Sequence, residues 1–187
     1  MIDWSDISYL KDGTQRQRQA YGCLVSLAIL PALQEYSPIL VSTVCNDIDI
    51  EGSDLDIICE VHDHGRFTEV LTTLYGAREG FALASVPTAS LPATVCQFRT
   101  PLFEIEVFGQ ALPVRQQNGY RHMAQTHRVI ALGGEGVRRA IRDAKKAGMK
   151  TEPAVAALLG LDGDPYQAVL ALVAESDDSL RRMLEKS

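Results

Sequence analysis

Two aspartates separated by one residue, at the start of an apolar segment, constrain the fold of this chain most strongly. Leu55, Ile57 and Cys59 alternate there with Asp54 and Asp56. Residues two apart on a β-strand point to the same face, so the pattern predicts a strand that carries both carboxylates on one side. Adjacent carboxylates repel each other unless they share a proton or a cation such as Mg²⁺. A solvated strand face with two surface aspartates is the other interpretation of the pair by itself.

Two further segments extend this pattern. Residues 38–41 form a short apolar run that ends in the small residues Ser42 and Thr43, which indicates a buried strand entering a turn. A later segment alternates again and places Glu104 and Glu106 on one face. The chain therefore predicts two strands that each carry a pair of acids.

This combination resembles the nucleotidyltransferase superfamily of DNA polymerase beta. In that superfamily a Gly-[Gly/Ser] turn precedes an Asp-x-Asp strand by about a dozen residues, and Ser42 and Thr43 stand at that place here. The resemblance covers about the first 110 residues. It implies that Asp54 and Asp56 are catalytic and hold Mg²⁺ or Mn²⁺. More of the chain also resembles an uncharacterised bacterial domain family, which brings no known reaction with it.

The resemblance also implies a third carboxylate on a neighbouring strand. We assign this catalytic and metal-binding role to Glu106, because Ile105 and Val107 flank it and a desolvated carboxylate gains most from a shared cation. Glu104 is interpreted as a supporting acid and further metal ligand. The residues expected to bind the nucleotide substrate are Ser42, Thr43, Ser53, Arg99 and Lys150. Arg99 has the alternative of pairing with a surface acid.

Three functions remain open on the residues alone. The first is metal-dependent transfer of a nucleoside monophosphate from a nucleoside triphosphate to an unknown hydroxyl acceptor. The second is a non-catalytic nucleotidyltransferase-like binding module, such as an antitoxin-type partner, which Ser42 favours because a side chain there hinders backbone contact with phosphate. The third is a phosphohydrolase, which is less favoured because no histidine cluster accompanies the acids.

Composition limits the partners. The chain has 187 residues, with 18 basic and 24 acidic side chains and a net charge of −6, which argues against binding duplex nucleic acid by general attraction. Its four cysteines show no Cys-x-x-Cys spacing and are interpreted as small core residues. No apolar run is long enough for a membrane span, and the first residues lack a secretion signal, so we expect a cytoplasmic protein.

Helical spacing dominates the rest of the chain. Residues 13–36 predict a helix on the sheet with Arg16 and Arg18 in solvent. From residue 115 onward the spacing is again helical, with His127 on an apolar stripe as a hydrogen-bonded core residue. Thr151 is expected to cap a later helix. A basic cluster is expected to contact phosphate, and it consists of Arg138, Arg139, Arg142, Lys145, Lys146 and Lys150.

The predicted fold class is α+β. A nucleotidyltransferase-like small mixed β-sheet with flanking helices occupies residues 1–114, and an α-helical C-terminal region occupies residues 115–187. We expect the site to lie in the cleft between them.

Overall fold

The computed structural model describes residues 3–87 and 91–185, and within them the centre of the fold is a five-stranded mixed sheet. The strands are β1 (Ile39–Leu40), β2 (Leu55–Glu60), β3 (Ala82–Val86), β4 (Ala93–Arg99) and β5 (Glu104–Gln110). Their order across the sheet is β1-β2-β5-β4-β3. Only β2 and β5 pair in parallel, while the other neighbours are antiparallel. The two strands predicted to carry the acids are therefore direct neighbours.

Helices flank this sheet and form the C-terminal region, which confirms the predicted α+β class. They are α1 (Gln15–Ser26), α2 (Ile29–Ala32), α3 (His64–Tyr75), α4 (Asn118–Lys146), α5 (Thr151–Leu159), α6 (Pro165–Ala171) and α7 (Asp177–Leu184). A 3-10 helix, Thr43–Asn46, lies in the connection between β1 and β2. None of the helices in the described part of the chain is long and apolar enough to cross a membrane.

Side chains cap several of the helix starts. Asp63, Asp164 and Ser176 each accept a hydrogen bond from a backbone N–H in the first turn of the helix that follows. The expected cap at Thr151 is displaced by one residue, because Lys150 takes the N-cap position and no side chain caps this helix. The Lys150 side chain is thereby left available for other contacts.

The single helix expected over residues 13–36 is wrong. The chain leaves the helical conformation at Ala28, which has a left-handed φ of 49°. Pro31 explains the break, since it has no backbone N–H and its ring clashes with the carbonyl four residues earlier. The structure therefore divides the segment into α1, α2 and a further 3-10 turn, Gln34–Tyr36.

Arg16 is also not in solvent as expected. Its guanidinium lies 3.7 Å from the centre of the Phe103 ring, and it donates to the carbonyl oxygens of Leu102 at 3.3 Å and Ser53 at 3.4 Å. It also approaches Asp49, with 3.7 Å between Nε and Oδ2. Arg16 thus ties α1 to the chain just before β2 and β5, where the acids lie.

Two hydrophobic clusters support the fold. The first packs the sheet against α1 and α3 and includes the buried Cys45, Cys59 and Cys96, as predicted for the cysteines. The second joins α4 to α7 and also includes Ile48, from the connection between β1 and β2. Helix α4 contributes Met123 to the first cluster and residues after it to the second. The boundary at residue 114 stays a prediction.

Helix α4 changes direction in its glycine-rich stretch. The helix is kinked at Gly134, whose backbone has φ 68° and ψ −154°. Such a φ is accessible to glycine at little steric cost. The kink allows the second half of α4, with its basic residues, to take its own direction.

Candidate functional site

Asp56 and Glu106 lie directly opposite each other on adjacent strands. They are register partners in the parallel pair of β2 and β5. Side chains at one register position of neighbouring strands project from the same face, about 5 Å apart at their bases. Asp54 comes one residue before β2 and, by the two-residue period of a strand, is directed to the same side as Asp56. Asp54, Asp56 and Glu106 therefore project from the same face of the sheet.

The electrostatics of Asp56 reflect this arrangement. Burial raises its pKa to about 7, and the negative charges of Asp54 and Glu106 add to the effect. Lys145 and Lys150 act in the opposite direction, which means that both ammonium groups are close enough to influence the carboxyl. Near neutral pH the ionised form of Asp56 is therefore unfavourable unless further positive charge is nearby.

The structure separates Glu104 from Glu106, which alternation alone does not do. Glu106 is half-buried and accepts a hydrogen bond from Gln97 Nε2 at 2.8 Å. Glu104 is exposed and lies opposite Arg99 at the turn end of the β4–β5 hairpin. Glu106 is thus the acid that stands beside Asp56, and its orientation is held by a neighbouring strand.

A cavity of about 480 Å³ opens in front of Asp56 and Glu106. We call it the main cavity. Its floor is the sheet face that carries these acids with Ile58 and Phe108, and its walls come from α4 and from the first turn of α5. Ser42 and Thr43 line it as well. The main cavity therefore lies where the sheet meets the C-terminal helices, which is the predicted cleft.

The remaining predicted site residues lie elsewhere. Ser53, Arg99 and Glu104 line a second hollow of about 350 Å³, together with Arg16 and Phe103. This second hollow is at the end of the sheet where β2 and β5 begin. The structure thus brings Ser42, Thr43, Asp56 and Glu106 together but places Ser53, Arg99 and Glu104 in a separate group.

Ser42 has a defined part in positioning the acids. It is 1% exposed, and its Oγ donates to the backbone carbonyl oxygen of Asp54 at 2.6 Å. Ser42 Oγ also accepts a hydrogen bond from the backbone N–H of Val44 at 3.4 Å, so Ser42 caps the 3-10 helix. A glycine at this position would make neither contact. Ser42 therefore links the turn after β1 to the start of the acidic strand.

The basic cluster expected from the sequence divides into two groups. Arg138 and Arg142 approach the Asp47 carboxylate at 3.9 and 3.2 Å, and Lys146 approaches Asp143 at 3.6 Å. Arg142 also donates to the backbone carbonyl oxygen of Asp47. Arg138 and Arg142 therefore hold α4 to the β1–β2 connection, while Lys146 pairs within α4.

Lys145 is the member of the cluster nearest the acids. It is only 8% exposed, and burial lowers its pKa, while the carboxylates of Asp49, Asp54 and Glu152 act to raise it. The spacing from the buried Ile141 to Lys145 is four residues, so the sequence pattern alone places this lysine on the buried face of α4. That signal distinguishes it from the exposed Lys146.

Two histidines contribute contacts rather than a metal site. His127 is half-buried and its Nδ1 lies 3.1 Å from Asn46 Oδ1, which confirms it as a hydrogen-bonded core residue. Burial lowers its pKa. His122 lies on the wall of the main cavity, with Nδ1 3.6 Å from Glu152 Oε1. The sequence analysis did not identify Glu152 or His122, because their proximity depends on how α4 and α5 pack.

Asp54, Asp56 and Glu106 do not form a closed metal centre by themselves. Within residues 3–87 and 91–185, no group of three or more histidine, cysteine, aspartate or glutamate side chains is placed to hold a metal ion. The three carboxylates are hard oxygen ligands of the type Mg²⁺ prefers, and this ion commonly binds one or two carboxylates together with phosphate oxygens and water. The residues therefore fit a site that substrate completes, but not a closed metal cage.

The chain matches one family model. The model is described as a domain of unknown function, DUF4269, and it matches residues 23–172. No curated protein matches the chain.

Solved structures that are similar to the chain include a GLD-2/RNP-8 complex and a TRAMP polymerase core. The structure of the GLD-2/RNP-8 complex has a TM-score of 0.51 at 15% identity, covering 82% of this chain and 61% of that chain. The polymerase core of TRAMP, an RNA surveillance complex, has a TM-score of 0.48 at 11% identity, covering 96% and 59%. The chain thus spans about three fifths of the length of each. The fold is the nucleotidyltransferase-like α+β fold that the sequence predicts.

Proposed function

The chain belongs to the domain-of-unknown-function family DUF4269, and we propose that it transfers a nucleoside monophosphate from a nucleoside triphosphate to an acceptor hydroxyl. Asp54, Asp56 and Glu106 are the proposed catalytic residues and hold Mg²⁺ or Mn²⁺ together with the substrate. The acceptor is taken up in the proposal below.

One observation carries this proposal. Asp56 faces Glu106 across two parallel strands, and burial and the neighbouring carboxylates raise the pKa of Asp56 to about 7. Holding acids in this way has an electrostatic cost that a bound cation removes. Perturbed carboxyl groups beside a cavity are typical of functional sites. The nucleotidyltransferase-like fold agrees with this reaction class, although a fold by itself does not determine chemistry.

The proposed step is an in-line displacement at the α-phosphorus. The acceptor oxygen forms a bond to phosphorus, the bond to the β-phosphate oxygen breaks, and pyrophosphate leaves with that electron pair. Glu106, oriented by Gln97, receives the proton of the acceptor hydroxyl. When bound, the divalent ion supplies positive charge to the phosphate oxygens and lowers the pKa of the hydroxyl.

Other residues of the chain have supporting roles in this proposal. Lys145 and Lys150 are the cations whose charges act on Asp56, so they are placed to offset the charge of a triphosphate beside it. Ser42 fixes the backbone of Asp54, and Thr43 lines the main cavity next to it. Arg99 and Ser53 lie at the second hollow and would meet only a part of the substrate that extends there.

Thermal unfolding with a nucleoside triphosphate, in the presence and absence of Mg²⁺ or Mn²⁺, tests the proposal. We expect the nucleotide to raise the unfolding temperature of the wild type more when the ion is present. The Asp54→Asn variant should lose most of this ion-dependent gain, because one hard ligand is removed. Glu104→Gln is a matched control at an exposed acid and should keep it. Equal ion responses in wild type and Asp54→Asn would contradict the shared site.

A second candidate is a nucleotidyltransferase-like binding module without catalysis. It is favoured by the finding that the described residues include no group of three side chains placed to hold a metal ion. A module of this kind would show the same nucleotide response with and without the divalent ion, and no pyrophosphate would be released. The experiment above therefore separates the two functions.

A further inference from the structure

Gln117 lines the main cavity and carries a buried hydrogen-bond acceptor without a partner among the described residues. Its Nε2 donates to the backbone carbonyl oxygens of Cys59 at 2.9 Å and Leu112 at 2.8 Å. These two contacts fix the orientation of the amide, so that Oε1 is the free end. The side chain is 2% exposed and lines the cavity, and no described residue gives Oε1 a hydrogen bond. A ligand that meets Gln117 must therefore donate to it.

Thr126 is a second residue of the cavity lining with a polar atom that has no hydrogen-bond partner among the described residues. It lies on α4, is 2% exposed and lines the same cavity. Its Oγ1 is buried and has no hydrogen-bond partner within the described parts of the chain. Buried polar groups are nearly always hydrogen-bonded, because leaving them unpaired costs free energy. Two orphaned polar atoms in one cavity indicate a polar ligand.

The charge of the residues that line the main cavity limits the charge of the ligand that can bind there. The acidic side chains of the lining are Asp56, Glu106 and Glu152, and no lysine or arginine lines the cavity in the described ranges. Proteins hold a nucleic-acid strand in positively charged grooves with aromatic side chains that stack on the bases. The charged residues of this lining are acidic instead. The lysines suited to phosphate, Lys145 and Lys150, are not part of it. The main cavity thus favours a neutral or cationic ligand.

Size and shape narrow the class further. At about 480 Å³ the main cavity lies within the range of small-molecule sites, which is roughly 300–1,000 Å³. Ile58 and Phe108 in the floor and Met123 in the wall are apolar, while Asp56 and Glu106 in the floor are acidic. A compact ring that carries hydroxyl or amino groups satisfies both features, because its ring carbons meet the wall while its polar groups meet Gln117 and Thr126.

We propose that the main cavity holds the acceptor of the nucleotidyl transfer, and that this acceptor is a small neutral or amine-bearing hydroxyl compound, not an RNA end. The ligand donates a hydrogen bond to Gln117 Oε1 and exchanges one with Thr126. One hydroxyl points to Glu106, which takes its proton when the new O–P bond forms and pyrophosphate leaves. This proposal rests on the proposed function for the reaction, but its binding test does not.

The test is calorimetric binding without nucleotide or divalent ion. The probes are myo-inositol as a neutral cyclitol, 2-deoxystreptamine as an amine-bearing one, adenosine, and a ten-residue oligoadenylate. We expect at least one cyclitol to bind the wild type, and to bind Thr126→Val about fivefold or more weakly, because the isosteric change removes only the hydroxyl. Oligoadenylate should show no binding that depends on Thr126.

Stability measurements keep the result interpretable. Thr126→Val should unfold at the same temperature as the free wild type or higher, because the lost hydroxyl had no partner among the described residues. Thr94→Val is the matched control: its hydroxyl lies 2.9 Å from His64 Nδ1 outside the main cavity, so this variant should lose stability but keep cyclitol binding.

Three outcomes would overturn the proposal. They are binding of neither cyclitol, equal binding of a cyclitol to wild type and Thr126→Val, and Thr126-dependent binding of adenosine or oligoadenylate in place of the cyclitols. Adenosine would assign the main cavity to the nucleobase, and oligoadenylate would assign it to RNA. If these outcomes occur while nucleotide still gives an ion-dependent rise in unfolding temperature, only the acceptor class is wrong and the proposed transfer stands.

Discussion

Asp56 on β2 and Glu106 on β5 are partners in a parallel strand pair, in a chain where the other sheet neighbours within the described residues are antiparallel. A parallel pair needs a long crossover connection, and here it contains α3 and the hairpin strands β3 and β4. The two acids are therefore fifty residues apart in sequence but adjacent in space. The two acids are neighbours because β2 and β5 pair in the sheet.

The first prediction concerns the pH dependence of stability at Asp56. Its pKa is raised from an ordinary value of 3.8 to about 7 in the fold. A raised carboxyl pKa favours folding most below the unfolded pKa, and this contribution is lost as pH rises through about 7. Asp56→Asn stays neutral, so with EDTA present it should be more stable than wild type by roughly 2 kcal/mol at pH 8, after allowance for solvent screening.

Urea unfolding at pH 5 and pH 8 measures this effect. The difference in unfolding free energy between Asp56→Asn and wild type should be larger at pH 8 than at pH 5. Glu104→Gln, at an exposed acid, should give a nearly constant difference. If the Asp56→Asn difference were the same at both pH values, the carboxyl would not be perturbed as described.

The second prediction concerns Ser42. Ser42→Ala removes the donor to the backbone carbonyl of Asp54 and the cap on the following 3-10 helix. Both are buried contacts, so we expect a loss of about 1–2 kcal/mol in unfolding free energy. The ion-dependent nucleotide response should weaken as well, because Asp54 is less well fixed.

Ser26→Ala is the matched control for this change. Ser26 is exposed, and its Oγ donates to the carbonyl of Cys23 at 2.8 Å in the helix. Its replacement should change stability by about 0.5 kcal/mol or less. Equal losses for the two variants would show that the Ser42 contact does not position the acidic strand.

The third prediction separates the two glutamates of β5 by their activity. Glu106→Gln should lower transfer from a nucleoside triphosphate by about 10²-fold or more while nucleotide binding persists, because the proton acceptor beside Asp56 is lost. Glu104→Gln should have a mild effect, since Glu104 lies at the second hollow. Pyrophosphate release measures both. The reverse order would move the role to Glu104, and two active variants would remove both from the chemistry.

Alternation predicts the acidic strands well, because the two-residue period is a local property of the backbone. Leu55, Ile57 and Ile105 are fully buried as expected, and Asp56 and Glu106 share the opposite face. Alternation alone did not separate Glu104 from Glu106, and the assignment to Glu106 rested on its apolar neighbours Ile105 and Val107. The strand partner of each acid depends on the register between β2 and β5. Register between distant strands is set by tertiary packing.

The features that the sequence analysis missed depend on contacts between distant segments. Arg16 was expected in solvent because its helical neighbours are polar, yet Phe103 and Ser53 reach it from elsewhere in the chain. Gln117 and Thr126 have no sequence signature at all, because an unpaired polar atom is visible only after every neighbour is placed. The sequence predicts one basic cluster, but the structure divides it: the charges of Lys145 and Lys150 act on Asp56, while Arg138 and Arg142 approach Asp47.

The last prediction tests that distinction within the basic cluster. Lys145 and Lys146 are adjacent in sequence, but Lys145 is buried near Asp54 and Lys146 is exposed and paired with Asp143. Lys145→Met keeps the length and apolar stem of the side chain and removes its charge. We expect it to weaken binding of a nucleoside triphosphate about tenfold at low salt and less at high salt, because screening reduces the contribution of the lysine in the wild type.

Lys146→Met is the matched control and should bind the nucleotide almost as wild type does at both salt concentrations. The variants are compared by nucleotide titration at 20 mM and 500 mM NaCl. The Debye length is about 20 Å at the lower concentration and about 4 Å at the higher one. The fold should survive in Lys145→Met, since burial already lowers the pKa of this lysine and so opposes its charge. Equal affinities for the two variants at low salt would mean that Lys145 only balances the acids, and phosphate binding would then fall to Lys150 at the start of α5.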